Sequence, residues 1–206
     1  MAERGYFISF EGIDRSGKST QAALLAESLG PRALLVREPG GTLLGERVRE
    51  ILKDPSIPVT ARAEALLFAA ARADLVESVI RPALADGRIV IADRFIDSSL
   101  AYQGAARGLG AEPVARLNDW AADGLMPDRT LLIAIDPERA AARGVEAGDR
   151  FEDEGREFQR AVAAAYERLA AAAPARIVRV EGDREADVVA AEVARLAGEL
   201  IGGASA

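Results

Sequence analysis

The sequence predicts an α/β fold in which a doubly wound, five-stranded parallel sheet carries helices on both of its faces. Two observations predict this class. First, short apolar runs alternate with longer segments of helical periodicity. Second, these runs are continuous, which is typical of strands that are buried on both faces of a parallel sheet. At 206 residues the chain has the length of one domain, so we expect a single domain that spans residues 1–206.

The elements follow one another in a regular order. Tyr6 to Phe10 is an apolar run, and the segment 12–19 after it is a glycine-punctuated loop. We expect strands at 6–10, 33–37, 89–92, 130–135 and 176–180. We expect helices at 18–29, 43–53, 60–85, 98–106, 113–122, 137–143, 156–172 and 184–201. The segment 144–155 is polar and charged, and we expect it to be a loop.

Composition excludes several classes of protein. The net charge of −7 argues against a general nucleic-acid binding surface, and no apolar run is long enough to span a bilayer. The sequence has neither cysteine nor histidine, which removes thiolate chemistry and the commonest general base. It starts directly on a strand-like segment, so we expect no signal peptide and a cytoplasmic location. All but two of the 26 basic residues are arginine, the exceptions being Lys18 and Lys53.

A phosphate-binding loop follows the first strand. The segment from Gly12 to Ser19 matches G-x-x-x-x-G-K-[ST] and lies between a predicted strand and a predicted helix, as this motif requires. Its glycines allow backbone N–H groups to face phosphate oxygens, and the helix N-terminus adds partial positive charge. We expect these residues to bind the phosphates of ATP: Gly12, Ile13, Asp14, Arg15, Ser16, Gly17, Lys18, Ser19 and Thr20. The Ser19 hydroxyl is placed to ligate Mg²⁺.

A second phosphate site is predicted at the end of the third strand. Asp93 comes at the carboxyl end of this strand, beside the phosphate loop, where it can organise Mg²⁺ and its water. The next residue, Arg94, is placed to grip another phosphate bidentately. Two facing phosphate sites indicate phosphoryl transfer between nucleotides. GTPases read guanine through an Asn-Lys-x-Asp segment, and neither Lys18 nor Lys53 of this chain lies in such a segment.

These motifs together resemble the thymidylate kinase family, and the resemblance covers nearly the whole chain. It is carried by the segments Phe10–Gln21, Arg37–Thr42, Leu66–Arg72, Asp93–Phe95, Ser98–Gly104 and Asp149–Glu152. It implies a P-loop NTPase-type fold and the reaction ATP + dTMP → ADP + dTDP on the route to dTTP. It also implies Mg²⁺ as cofactor, a homodimer formed through apolar helix faces, and a mobile lid over ATP at about 137–155.

The resemblance also assigns residues to dTMP. Asp14 resembles the carboxylate that meets the sugar 3′-hydroxyl. Phe68 resembles the ring stacked on thymine, and Arg72, one helical turn later, the donor to a thymine carbonyl. Tyr102 resembles the ring beneath the deoxyribose, which leaves no space for a 2′-hydroxyl. The remaining expected contacts are Arg37, Arg94, Ser99 and Gln103.

Two groups of arginines are candidates for stabilising the transition state. Arg15 lies in the phosphate loop, whereas Arg143 and Arg150 are offered by the predicted lid region, which Arg139 also flanks. We favour Arg15, because its backbone is fixed by the phosphate loop whereas a lid arginine must be carried in by closure. The expected catalytic residues are therefore Lys18, Arg15, Asp93 and Arg94.

Three alternatives remain open in the sequence. Glu38 either helps to hold Mg²⁺ or stabilises the turn in which it lies. The acceptor is dTMP or another nucleoside monophosphate. The chain is an enzyme or a regulator that binds nucleotide without turnover, although the intact set of phosphate-directed residues favours the enzyme.

Overall fold

The computed structural model describes residues 4–143 and 155–203, and it confirms the predicted fold class. Five strands are formed by Phe7–Glu11 (β1), Ala33–Arg37 (β2), Ile89–Asp93 (β3), Arg129–Ala134 (β4) and Ile177–Glu181 (β5). Within the described residues they make one parallel sheet in the order β2-β3-β1-β4-β5. Each strand lies within one residue of its predicted position, because continuous apolar runs mark buried strands clearly.

The helices surround this sheet. They are Lys18–Leu29 (α1), Leu43–Lys53 (α2), Ala61–Leu75 (α3), Arg81–Ala85 (α4), Ile96–Ser99 (α5), Ala111–Ala122 (α6), Pro137–Ala142 (α7), Gly155–Ala172 (α8) and Ala186–Gly202 (α9). Two π-helical segments, Val76–Ile80 and Leu100–Ala106, interrupt the helices that the sequence predicts as continuous. A π-helical turn holds one more residue than an α-helical turn, and a 3.6-residue pattern does not reveal it.

Alternate strand residues pack into the two faces of the sheet. Ile8 and Phe10 on β1 face α1 and α9, where they join Leu25 and Val193 in one core. Phe7, which precedes Ile8, faces the opposite layer and packs edge-on against Phe95, with ring centroids 4.9 Å apart. Helix α8 covers β4 and β5 on this second face. Both faces of the sheet are thus covered, as the continuous apolar strands predict.

The strand order gathers the polar residues at the carboxyl edge of the sheet. β1 lies in the middle, so the phosphate loop that follows it is central. Asp93 at the end of β3 is in register with Phe10 on one side and with Arg37 of β2 on the other. The ends of three neighbouring strands therefore meet around one cleft, which is where open α/β sheets bind ligands.

Within residues 4–143 and 155–203, no helix combines the length and the apolar character that crossing a bilayer requires.

Candidate functional site: a cleft beside the phosphate loop

The phosphate loop takes a conformation that depends on its glycines. Gly12 has a φ of 146°, and a Cβ there would lie 2.6 Å from the carbonyl oxygen of Ile133. Gly17 has a φ of 96° and is the N-cap of α1, with no side chain capping the helix. The first turn of α1 therefore keeps N–H donors for an anion, and Ser19 and Thr20 are exposed on this turn.

Two arginines in the site have positive φ, which is unusual for a residue with a side chain. Arg15 in the phosphate loop has a φ of 63°, and Arg94 after β3 has a φ of 74°. Left-handed backbone at such residues costs on the order of 1–3 kcal/mol and concentrates at functional sites. Both residues line the cleft, so the strained backbone aims two guanidinium groups at it.

Arg94 joins the phosphate loop to the walls of the cleft. It donates to the carbonyl oxygen of Gly12 at 3.0 Å and makes a close ion pair with Asp14. It also donates to the hydroxyls of Ser98 at 3.1 Å and Tyr102 at 3.2 Å, and its Cζ atom lies 5.0 Å from the centroid of the Tyr102 ring. Arg94 is thus held rigidly at the position predicted for a phosphate contact.

Asp14 and Lys18 are tuned by their neighbours. Burial acts to raise the pKa of Asp14, but Arg94 and Lys18 outweigh it and hold that pKa below its ordinary value. Burial and Arg94 lower the pKa of Lys18, against the opposing charge of Asp93 and other carboxylates. The Lys18 ammonium lies 4.0 Å from the nearer Asp14 oxygen. The two side chains therefore form a preorganised cation and anion at the floor of the cleft.

The residues beside the phosphate loop suit a Mg²⁺ ion that arrives with a nucleotide. Oδ1 of Asp93 and Oγ of Ser16 are buried, and within the described residues neither has a hydrogen-bond partner. Groups of three or more potential acidic, histidine or cysteine ligands are absent from the described residues. Mg²⁺ bound to nucleotides takes one or two carboxylates, with water and phosphate as its other ligands. Asp93 and Ser19, which both line the cleft, fit this pattern.

A cleft of about 420 Å³ extends from the phosphate loop toward α2 and α3. It brings together most of the residues that the sequence predicts for catalysis and acceptor binding. They are Asp14, Arg15, Lys18, Ser19, Arg37, Phe68, Arg72, Asp93, Arg94, Ser99, Tyr102 and Gln103. A volume of this size holds a small nucleotide.

Arg72 is a structural centre as well as a wall of the cleft. It is 1% exposed and makes a buried ion pair with Glu38 through Nε and Nη2. It also donates to Ser99 Oγ at 3.0 Å, to Asn118 Oδ1 and to the Phe95 carbonyl. Each of its nitrogens thus already contacts a protein acceptor, so a thymine carbonyl would share Arg72 with these groups. Glu38, whose role the sequence leaves open, pairs with Arg72 in this structure.

Phe68 and Tyr102 lie on different walls. Phe68 is half-buried on α3, where it packs against the apolar side chains Val48 and Leu52 of α2. Tyr102 lies in the second π-helical segment and donates its hydroxyl to Asp14 Oδ2 at 3.2 Å. The Tyr102 ring is therefore adjacent to the carboxylate predicted to meet the sugar. Arg37 is largely exposed at the rim, where it pairs with Glu46 at 2.9 Å.

Of the two lid arginines within the described residues, Arg143 contacts the phosphate loop from outside the cleft. Arg143 donates to the carbonyl oxygens of Arg15 at 3.3 Å, Ser16 at 3.2 Å and Gly182 at 2.7 Å. Arg139 pairs with Asp183 in the turn after β5. Arg150 and the rest of the predicted lid, residues 144–154, lie outside the described residues.

Sequence reasoning missed Glu11, a fully buried carboxyl at the end of β1. It accepts hydrogen bonds from the Phe95 N–H at 2.8 Å, the Ser98 hydroxyl at 2.6 Å and the Tyr166 hydroxyl at 2.9 Å. Burial and the charge of Asp97 raise the pKa of Glu11 to about 7. The signal in the sequence is a lone acidic residue in an apolar strand, which marks a buried polar network but does not name its partners.

Other residues at the site carried no signal of their own. Gln159 on α8 donates to Asp14 Oδ2 at 3.2 Å, and Glu64 on α3 accepts from Gln103. Arg49 and Lys53, near the end of α2, line the cleft. Their spacing is that of ordinary exposed helix residues, so only the packing of the helices brings them to the site.

Comparisons with known proteins agree with this geometry. A family profile described as thymidylate kinase matches residues 10–193. A thymidylate kinase from Caldanaerobacter subterraneus subsp. tengcongensis is 49% identical over 98% of this chain and 99% of that protein. One from Exiguobacterium is 46% identical over 92% of each chain. The crystal structure of thymidylate kinase from Ehrlichia chaffeensis superposes with a TM-score of 0.77 at 36% identity, covering 94% of this chain and 99% of that one.

Replacing Glu11 by glutamine is expected to flatten the pH dependence of stability. The folded-state pKa of Glu11, about 7, lies above its unfolded value. The contribution of Glu11 to the free energy of unfolding is therefore fully present below about pH 4.5. That contribution, roughly 3 kcal/mol, is lost as pH rises through 7. Glutamine is isosteric and carries no charge, so the stability of Glu11→Gln relative to wild type should rise across this window. Urea unfolding from about pH 5 to pH 8 measures it, and a constant difference would refute the buried-acid assignment.

Replacing Arg72 by methionine is expected to cost about 3–5 kcal/mol of unfolding free energy, because it leaves the Glu38 carboxylate buried without its cation. Adding Glu38→Gln should recover about half of the loss, since the second change removes the stranded charge. Urea unfolding of both single variants and the double variant gives the coupling energy. Additive losses would show that the ion pair is not the source of the effect.

Proposed function

Since the chain belongs to the thymidylate kinase family, we propose that it transfers the γ-phosphoryl group of ATP to dTMP, giving ADP and dTDP. The observation that carries the proposal is the cleft itself. The phosphate loop residue Lys18 lines it together with Phe68 and Arg72, and Arg94, which also lines it, donates to the Gly12 carbonyl of the loop. This arrangement suits two nucleotides whose phosphates meet at Arg94.

The donor phosphates are assigned to the phosphate loop. Backbone N–H groups and Lys18 hold the β- and γ-phosphates, and Ser19 and Asp93 would hold the Mg²⁺ ion. When bound, the ion would supply positive charge that offsets the negative charge of the donor phosphates. The buried Asp93 Oδ1, which has no partner among the described residues, supports this assignment.

The acceptor is assigned to Arg94, Asp14 and Phe68, which also line the cleft. Arg94 grips the dTMP phosphate, Asp14 receives the sugar 3′-hydroxyl, and Phe68 stacks on the base. A phosphate oxygen attacks the γ-phosphorus while the bond to the leaving ADP oxygen breaks. The attacking oxygen is already anionic at neutral pH, so no side chain has to remove a proton. Catalysis then depends on positioning and charge, which suits a chain without histidine.

We also propose that the protein acts in the cytoplasm as a homodimer. Several large apolar side chains are exposed on α2, α3, α6 and the turn after α6. They are Leu43 at 81%, Leu44 at 48%, Leu66 at 53%, Trp120 at 83% and Met126 at 38%. Helix α3 packs against both α2 and α6, so these side chains belong to neighbouring elements. An exposed apolar surface of this kind is typical of a protein–protein interface.

The proposed reaction is tested by acceptor-dependent release of ADP. With Mg-ATP, wild type should release ADP rapidly with dTMP and far more slowly with dCMP or dGMP. Lys18→Ala removes a preorganised charge and should lower turnover at least ~10²-fold. Thermal unfolding of the variant serves as the control for folding. ATP binding without any acceptor-dependent ADP would instead support a regulatory protein.

Arg15→Ala is expected to lower kcat by ~10²-fold or more with a small effect on the KM for ATP, because Arg15 lies in the cleft next to Lys18. Arg143→Ala should act mainly on the KM for ATP, since Arg143 contacts backbone carbonyls outside the cleft. Arg150→Ala is expected to behave like Arg143→Ala. Single-turnover rates separate the chemical step from binding. A larger loss of that rate in a lid variant would reverse the assignment.

A further inference from the structure

Glu64 is a buried carboxylate outside the residues assigned to the reaction. It is 1% exposed and lies on α3, one helical turn before Phe68. Its Oε1 atom accepts from Gln103 Nε2 at 2.9 Å and from Arg107 Nε at 3.3 Å, while its Oε2 atom accepts from Arg107 Nη2 at 3.2 Å. Because Arg107 donates to both oxygens, Glu64 presents only acceptors to Gln103.

This contact fixes the orientation of the Gln103 amide. A carboxamide has a donor side and an acceptor side, which a rotation by half a turn exchanges. Facing Glu64, the amide must direct its NH₂ group toward the carboxylate, since its oxygen would meet another acceptor there. The Gln103 side chain lines the cleft. The amide oxygen, on the side away from Glu64, is thus the group that Gln103 can offer to a base.

We propose that Glu64 is a positioning residue that sets base preference by holding the Gln103 oxygen toward the base. This inference rests on the proposed function. Thymine and uracil carry a hydrogen at N3 and can donate to that oxygen. Cytosine has an unprotonated N3, so its lone pair would face the lone pairs of Gln103, and both groups would remain unpaired. The site then favours bases that carry an N3–H.

The arrangement opposes a flip of the amide on more than one side. Glu64 is fixed by Arg107, and the Arg107 guanidinium lies 4.8 Å from the centroid of the Phe158 ring on α8. The backbone of Gln103 belongs to the π-helical segment, and its main-chain carbonyl oxygen accepts from the backbone N–H of Leu109 at 3.2 Å. A buried group held in one orientation discriminates between substrates more strongly than a mobile one.

The test is the ratio of kcat/KM for dTMP to that for dCMP, measured by ADP release on the full chain. In Glu64→Gln the residue at 64 can donate as well as accept, so the Gln103 amide is free to turn. We expect the ratio to fall at least ~10-fold, mainly through the loss of dTMP activity. Gln103→Leu should lower the ratio similarly, and the double variant should be no worse than the single ones.

Two further variants separate orientation from structure. Arg107→Lys keeps a cation beside Glu64 but loses the planar contact with Phe158, so it should lower stability and leave the ratio within about twofold. The exchange variant Glu64→Gln with Gln103→Glu keeps one carboxylate and one carboxamide at the pair. It should retain a preference for dTMP, and it decides the matter if the single Glu64→Gln chain does not fold.

The outcomes are distinct. An unchanged ratio in Glu64→Gln, with a lowered ratio in Gln103→Leu, would overturn the positioning role. An unchanged ratio in both variants would show that Gln103 does not read the base, which also overturns the proposal. If wild type itself gave no dTMP-dependent ADP, the proposed function would fail, whatever the variants do.

Discussion

The pairing of buried or partly buried guanidinium groups with carboxylates is the constraint on which the rest of the cleft depends. The pairs are Arg94 with Asp14, Arg72 with Glu38, and Arg107 with Glu64. A buried ion without a partner would cost several kcal/mol, so neither member of a pair can be placed without the other. Each pair also joins two elements of the fold. They connect the phosphate loop to β3, the end of β2 to α3, and α3 to the second π-helical segment.

These connections explain why residues from separate parts of the chain line one cleft. A phosphate group or base needs donors held in place before it arrives, because ordering long side chains on binding would consume binding energy. Arginine suits this task, since its planar fork can hold a carboxylate and other acceptors together. The buried lysine is Lys18, whose compact ammonium fits a loop that must also admit phosphate oxygens. The strong bias toward arginine in the composition is consistent with this division of roles.

The sequence predicted the sheet, the order of its elements and the phosphate loop, because each depends on local pattern. Apolar runs mark strands, and the loop motif fixes its own conformation through Gly12 and Gly17. The sequence also named most of the residues that the cleft brings together. It did not predict the partners of Arg72, because Glu38 and Asn118 are distant in the chain and no periodicity links them. The π-helical segment that holds Tyr102 and Gln103 was hidden for a related reason, since one inserted residue leaves the helical pattern almost unchanged.

In a cleft this thoroughly hydrogen-bonded, the few polar atoms without a protein partner indicate where ligands bind. Buried polar groups are nearly always satisfied, so an unsatisfied one calls for a physical reason. Among the described residues, Oδ1 of Asp93 and Oγ of Ser16 are of this kind; Asp93 lines the cleft and Ser16 lies in the phosphate loop. Gln21 and Arg129 also hold unpaired atoms outside the cleft lining, and Gln159, which donates to Asp14, holds one near the phosphate loop. The ion pairs therefore fix the walls of the cleft, while the Asp93 and Ser16 groups stay unpaired beside the phosphate loop, where the proposed nucleotide and its metal would meet them.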